Sequence, residues 1–108
     1  MNDWELGAEK LKHLLDLAQS AETDFERASV FSAAAALEKM FDADTDERMG
    51  NRQFDGYAME KVSSACWCIR AIVGYDIDNG HNARQLAVFA LGDISILNKV
   101  IRDTAAIA

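Results

Sequence analysis

Three groups of residues in this 108-residue chain carry side chains whose type and spacing could do chemistry. Asp42-Ala43-Asp44-Thr45-Asp46 sets carboxylates at alternate positions, as the first half of a calcium loop does to surround a hard cation with oxygen. The second half does not follow. The sixth position is Glu47, where the sharp turn of such a loop takes glycine, and the twelfth is Gln53, where a bidentate Glu would close the shell. Asp76 and Asp78 precede His81 in a second acidic turn, the raw material of a metal or acid/base cluster. A turn tipped by Asn79-Gly80, followed by a helix cap, accounts for the same residues without a site.

Cys66 and Cys68 form the third group. Two positions apart on a helix, their side chains diverge, so they are expected as free thiols in a reducing compartment. They belong to no CxxC pair or ligand quartet, and with only two histidines in the chain zinc is not expected. His13 follows Glu9 by one helical turn, the spacing of an ordinary surface pair. The sequence has no Gly-rich phosphate loop, no GxSxG and no Glu-x-x-His helix motif. No metal or cofactor is expected. A small helical enzyme or metal binder around Asp76, Asp78 and His81 is the weakest of three functional readings.

The elements that must position these residues are helical. Proline is absent, and Val, Ile and Thr are scattered, so the alternation of strands is missing. A first helix is expected from about Asp3 to Ala18, with Trp4, Ala8, Leu11, Leu15 and Ala18 on one face and Leu14 and Leu17 widening it. Thr23 and Glu26 form a capping box at the start of a second helix. That helix is expected to end near Phe41, its core face being Val30, Ala33, Ala34, Leu37, Met40 and Phe41. Residues 42 to 56 lose the apolar period and read as a long acidic connection. A third helix, capped by Asp55, buries Ala58, Val62, Ala65, Ile69, Ile72 and Val73 and stops at Gly74.

In the last segment Ala83, Ala87, Ala90, Ile94, Leu97 and Ile101 keep one phase straight through Gly92, with Asn82 and Gln85 as the start signal. This predicts a single helix of about 25 residues that tolerates the glycine at about 1 kcal/mol. The fold class is all-α: one domain, a small antiparallel bundle of about four helices.

Composition sets the functional limits. Half the residues are hydrophobic, 27% are charged, and the net charge is −7. That charge opposes direct binding to nucleic acid or anionic membranes, both of which need Lys and Arg against phosphate. No apolar run is long enough to span a membrane and the N-terminus lacks the features of a signal peptide, so a cytoplasmic protein is expected. The acidity lies in the first half. Residues 82 to 108 carry three bases against two acids.

Three surface features remain. Trp67 falls opposite the apolar face of its helix, near Glu60, Ser63, Ser64 and Ala71, so either the 42 to 56 segment covers it or it anchors an interface. Phe89, Ile96, Val100 and Ile107, with Leu86 near the edge, form a second apolar stripe on the last helix. The stripe belongs either to the centre of the domain or to an oligomer contact. Asp42, Asp44, Asp46 and Glu47 follow the second helix, where the dipole is negative and acids are mildly unfavourable. Together these features suggest a non-enzymatic protein-binding protein that presents Asp42, Asp44, Asp46, Glu47 and Glu60 to a basic partner, with Trp67 as anchor. In size, charge and fold class it is similar to small acidic inhibitors that cover a nucleic-acid-binding surface, such as anti-CRISPR proteins and nuclease-toxin immunity proteins. That similarity is an analogy of class, carried by no motif. The alternative is a structural homodimer joined through Trp67 or through Phe89, Ile96 and Val100.

Overall fold

The structure is a computed structural model that describes residues 3–47, 52–74 and 81–107 and, within them, all side chains except those at 3, 44–47, 52–55 and 104–107. Four helices account for nearly all of it: α1 (Asp3–Ser20), α2 (Asp24–Glu47), α3 (Arg52–Ile72) and α4 (Ala83–Ile107). Successive helices pack against one another, and α1 and α2 run antiparallel, the start of the first meeting the end of the second. Trp4 of α1 meets Phe41 of α2, Glu38 of α2 meets Arg70 of α3, and Ser64 of α3 meets Asp93 of α4. α1 packs on each of the other three and α3 does the same, whereas α2 and α4 do not touch among the described residues. In cross-section α1 and α3 therefore take the short diagonal of the bundle, and α2 and α4 the long one.

The starts and stops are local chemistry. The Glu26 N–H donates to Thr23 Oγ1 at 3.1 Å, and the Thr23 N–H donates back to Glu26 Oε1 at 3.1 Å, closing the capping box. Asn82 and Gln85 repeat this arrangement at α4, at 2.9 and 3.0 Å. Gly74, at φ 84°, ends α3 in the left-handed conformation that glycine adopts without penalty.

All four helices contribute to one core. The expected faces Trp4, Ala8, Leu11, Leu15 and Ala18, then Val30, Ala34, Leu37 and Phe41, then Ala58, Val62, Ala65, Ile69 and Val73, are buried. α4 continues unbroken through Gly92 and buries Ala87, Ala90, Ile94, Leu97 and Ile101.

Several expectations are corrected. Met40 is 67% exposed and Ala83 is also exposed, while Leu86, placed at the edge of the outer stripe, is in the core. Met40 sits 100° around α2 from Phe41, on the flank of the helix and off the core face. The second helix does not stop at Phe41: it carries on through Asp42 to Glu47, and α3 begins at Arg52, so Asp55 is an internal residue and no cap. The loss of apolar period marks where the core ends, and a helix without proline or glycine propagates past that point into water.

One glycine is fixed by packing. A Cβ at Gly7 would lie 2.9 Å from Phe41 Cε2 and closer still to the ring tip. The Phe41 ring is buried and set edge-on to Trp4, with centroids 4.7 Å apart, so α1 and α2 cross closely only because Gly7 has no side chain.

Candidate functional site

The residues that the sequence offers for function separate onto two faces. The first is the outer side of α2. This helix holds seven acids against two bases, a net −5, and no base stands in its last turn. Asp42, Asp44 and Asp46 are in helical backbone, which removes the alternating loop a calcium shell requires, and with Glu47 they occupy the last two turns, where the dipole disfavours them. Asp42 is exposed; the side chains of Asp44, Asp46 and Glu47 lie outside those described. The same helix leaves Phe25 81% and Met40 67% exposed. Fifteen residues apart, these two are about 22 Å distant along the axis and about 60° around it, with the small residues Ser29, Ser32 and Ala36 exposed between them.

The second face is the groove between α3 and α4. Trp67, 38% exposed, lines it with Val88, Phe89, Gly92 and Ile96, so two features separate in the sequence become one surface. Among the described residues it is α4 that borders the tryptophan. Phe89 is 47% exposed and packs edge-on against His81, centroids 5.3 Å apart. Val100 is not part of this groove: it is half-buried and packs on the core. Glu60 is exposed on the same strip of α3 as Trp67, two turns earlier. Taken as whole helices α3 and α4 are not acidic, each carrying three bases against two acids. Trp67 opens into the groove between α3 and α4, whose lining includes no residue of α2.

The groove also contains Ser64, Cys68, His81 and Asp93, which bring hydroxyl, thiol, imidazole and carboxylate to one place. Their arrangement does not activate a nucleophile. Ser64 Oγ donates directly to Asp93 Oδ2 at 2.5 Å, with no imidazole between them to take the proton. Burial, reinforced by Asp93, pushes the Cys68 thiol up to about 11; burial, reinforced by Glu38, pushes Cys66 up to about 12. At neutral pH both are protonated and poor nucleophiles. Asp76 and Asp78 lie outside the described residues, and no group of three metal-ligating side chains occurs among those described. Nor is any described helix long and apolar enough to cross a membrane.

Gly92 is the feature that sequence reading weighed only as a helix breaker. A Cβ there would meet nothing within 4 Å, in contrast to Gly7. It lies within an apolar patch, and among the described residues nothing covers it. Arg70 stands on the other side of α3, 3.1 Å from Glu38 Oε2 and over the Phe31 ring, and fastens α2 to α3.

Comparison of the chain with protein-family models, with curated proteins and with solved structures finds no match.

Proposed function

We propose that this chain is a non-enzymatic protein-binding protein that lays the acidic outer face of α2 on a basic surface of a partner. The observation that carries this reading is the coincidence on α2 of net charge −5 with two nearly bare large apolar side chains, Phe25 and Met40. Acid alone describes a solvated face. Acid framing two exposed apolar anchors has the composition of an interface, in which charge steers the encounter and apolar contact holds it. Asp42, Asp44, Asp46 and Glu47 extend the field beyond the core, at a helix end that gains nothing from them. A basic surface of matching size on a partner is the electrostatic footprint of nucleic-acid binding. A protein that covers such a surface acts as an inhibitor by occupation, the same class of action as the acidic inhibitors it is similar to in size and charge.

The test is capture from the source cells with three baits: wild type, Phe25→Ser with Met40→Ser, and Asp42, Asp44, Asp46 and Glu47 replaced by Asn or Gln. Wild type retains a basic protein at low salt and releases it at about 0.3 M, where the Debye length falls to roughly half its 0.1 M value. Both variants lose it while keeping their helical circular dichroism. Equal capture by all three baits overturns the reading.

A further inference from the structure

The geometry points to a second copy of this chain as the occupant of the α3–α4 face, with α4 packed antiparallel on α4 across Gly92. The inference is independent of the acidic face of α2.

The first argument is the glycine. In a helix interior Gly costs about 1 kcal/mol relative to Ala, and Gly7 shows the use that offsets such a cost, the close approach of another element. Among the described residues nothing comes within 4 Å of a Cβ placed at Gly92. Val88 and Ile96 stand one turn before and after it and Phe89 beside it, all exposed, so the flat spot sits within an apolar frame. This is the outline that a second helix fills when it crosses at close range.

The second argument is register. A two-fold axis beside Gly92 brings a residue n positions before it level with the residue n positions after it on the other copy, so the side chains that meet are those within about one position of that level on the same side of the contact line. That rule sets Phe89 against Ile96 near the contact line, twice, on the side where Trp67 extends the surface. On the opposite side Val88 meets Ser95. At the ends His81 faces Asp103, which are of complementary character, and Gln85 faces Lys99. Arg84 and Arg102 lie about 80° off the contact line, in water. The stripe is therefore self-complementary, which a site shaped for an unrelated partner has no reason to be.

The third argument is charge. Two molecules of net −7 repel unless they meet by their least acidic sides. α4 is that side, with three bases against two acids, and it lies diagonally across the bundle from α2, which it does not touch. With short axes of 23 and 22 Å, the bundle holds the α2 acids of each copy well beyond a Debye length of about 8 Å from the contact. Dimerisation through α4 thus leaves both acidic faces pointing outward.

The test is the mass of the full chain by light scattering across a concentration series, joined to a cross-linking register. Wild type reaches twice the chain mass. Phe89→Asp and Ile96→Asp each weaken association by more than about tenfold while retaining helical circular dichroism. Under mild air oxidation Gly92→Cys links to its own copy across the axis, and Lys99→Cys links to Gln85→Cys in a mixture of the two variants and not to itself. Cys66 and Cys68 are buried and stay out of the reaction. A wild type that is monomeric at every concentration overturns the proposal. So does a dimer that survives Ile96→Asp, or one in which Gly92→Cys remains reduced. A monomeric wild type that still captures its basic partner is a failure of this contact alone, and a dimer that captures nothing is a failure of the acidic-face reading alone.

Discussion

Gly7 and Gly92 are both interior glycines of long helices, and they stand in opposite surroundings. At Gly7 the space a methyl would need is filled by Phe41; at Gly92 it is empty. The difference separates a glycine retained for its own fold from one that the fold does not use. It also separates two pairs of helices: α1 and α2 cross closely at Gly7 and carry the acid, whereas α3 and α4 border an exposed apolar groove around Gly92 and carry no net negative charge. The same residue type thus reports where packing is complete and where a described surface is left open.

Three measurements break or sharpen that contrast. The largest effect is expected from Gly7→Ala. The new methyl overlaps a ring that burial and the Trp4 edge contact hold in place, so a loss of about 1 to 3 kcal/mol from overpacking outweighs the gain of about 1 kcal/mol in helix propensity. Urea denaturation measures it, and unchanged or raised stability means that the Phe41 ring yields. Gly92→Ala should act in the other direction, raising stability by up to about 1 kcal/mol when introduced into the monomeric Ile96→Asp background, because there only helix propensity changes. A loss at this site would show that some part of the chain does pack there.

The smallest effect belongs to Glu26, in the acidic half. The Thr23 hydroxyl, and then the Glu22 N–H, hold its carboxyl below the usual range. A depressed folded-state pKa contributes stability above the unfolded value and loses it as pH falls through the folded value. Melting of the wild type should therefore include an acid-side decline, beginning near the ordinary glutamate range of about 4.3, that Glu26→Gln lessens. At neutral pH the variant melts almost with wild type, since Gln also completes a capping box. Identical acid limbs in the two proteins refute the assignment.

The sequence made the inward faces legible because burial imposes a period, and residues such as Leu11, Leu15, Ile69 and Leu97 obey it. Caps were legible for a related reason: Thr23 with Glu26 and Asn82 with Gln85 are satisfied within four residues, so no tertiary information is required. The extent of α2 was not, since Asp42 to Glu47 lie past the core and carry no period to read. Trp67, Phe89 and Ile96 stood out one by one as misplaced apolar residues. That they share a groove depends on the register of α3 against α4, which neither helix encodes alone. Gly7 gave no signal at all, because its role is defined by a ring 34 positions away.

The placement of the two sulfhydryls has a consequence for the protein's chemistry over time. Both lie in the core and both are held protonated, so the folded chain presents no thiolate to peroxide, to glutathione or to a metal. Their raised pKa values also mean that the native state resists deprotonation up to strongly alkaline conditions, whereas the unfolded chain ionises near 9, so the protein loses stability as pH climbs from there toward 12. Reaction at these sulfurs occurs only in molecules whose α3 has parted from its neighbours. An irreversible label, such as an alkylating reagent or oxidation to the sulfonic acid, would therefore count opening events, and its accumulated fraction would report how often a population of this protein breathes.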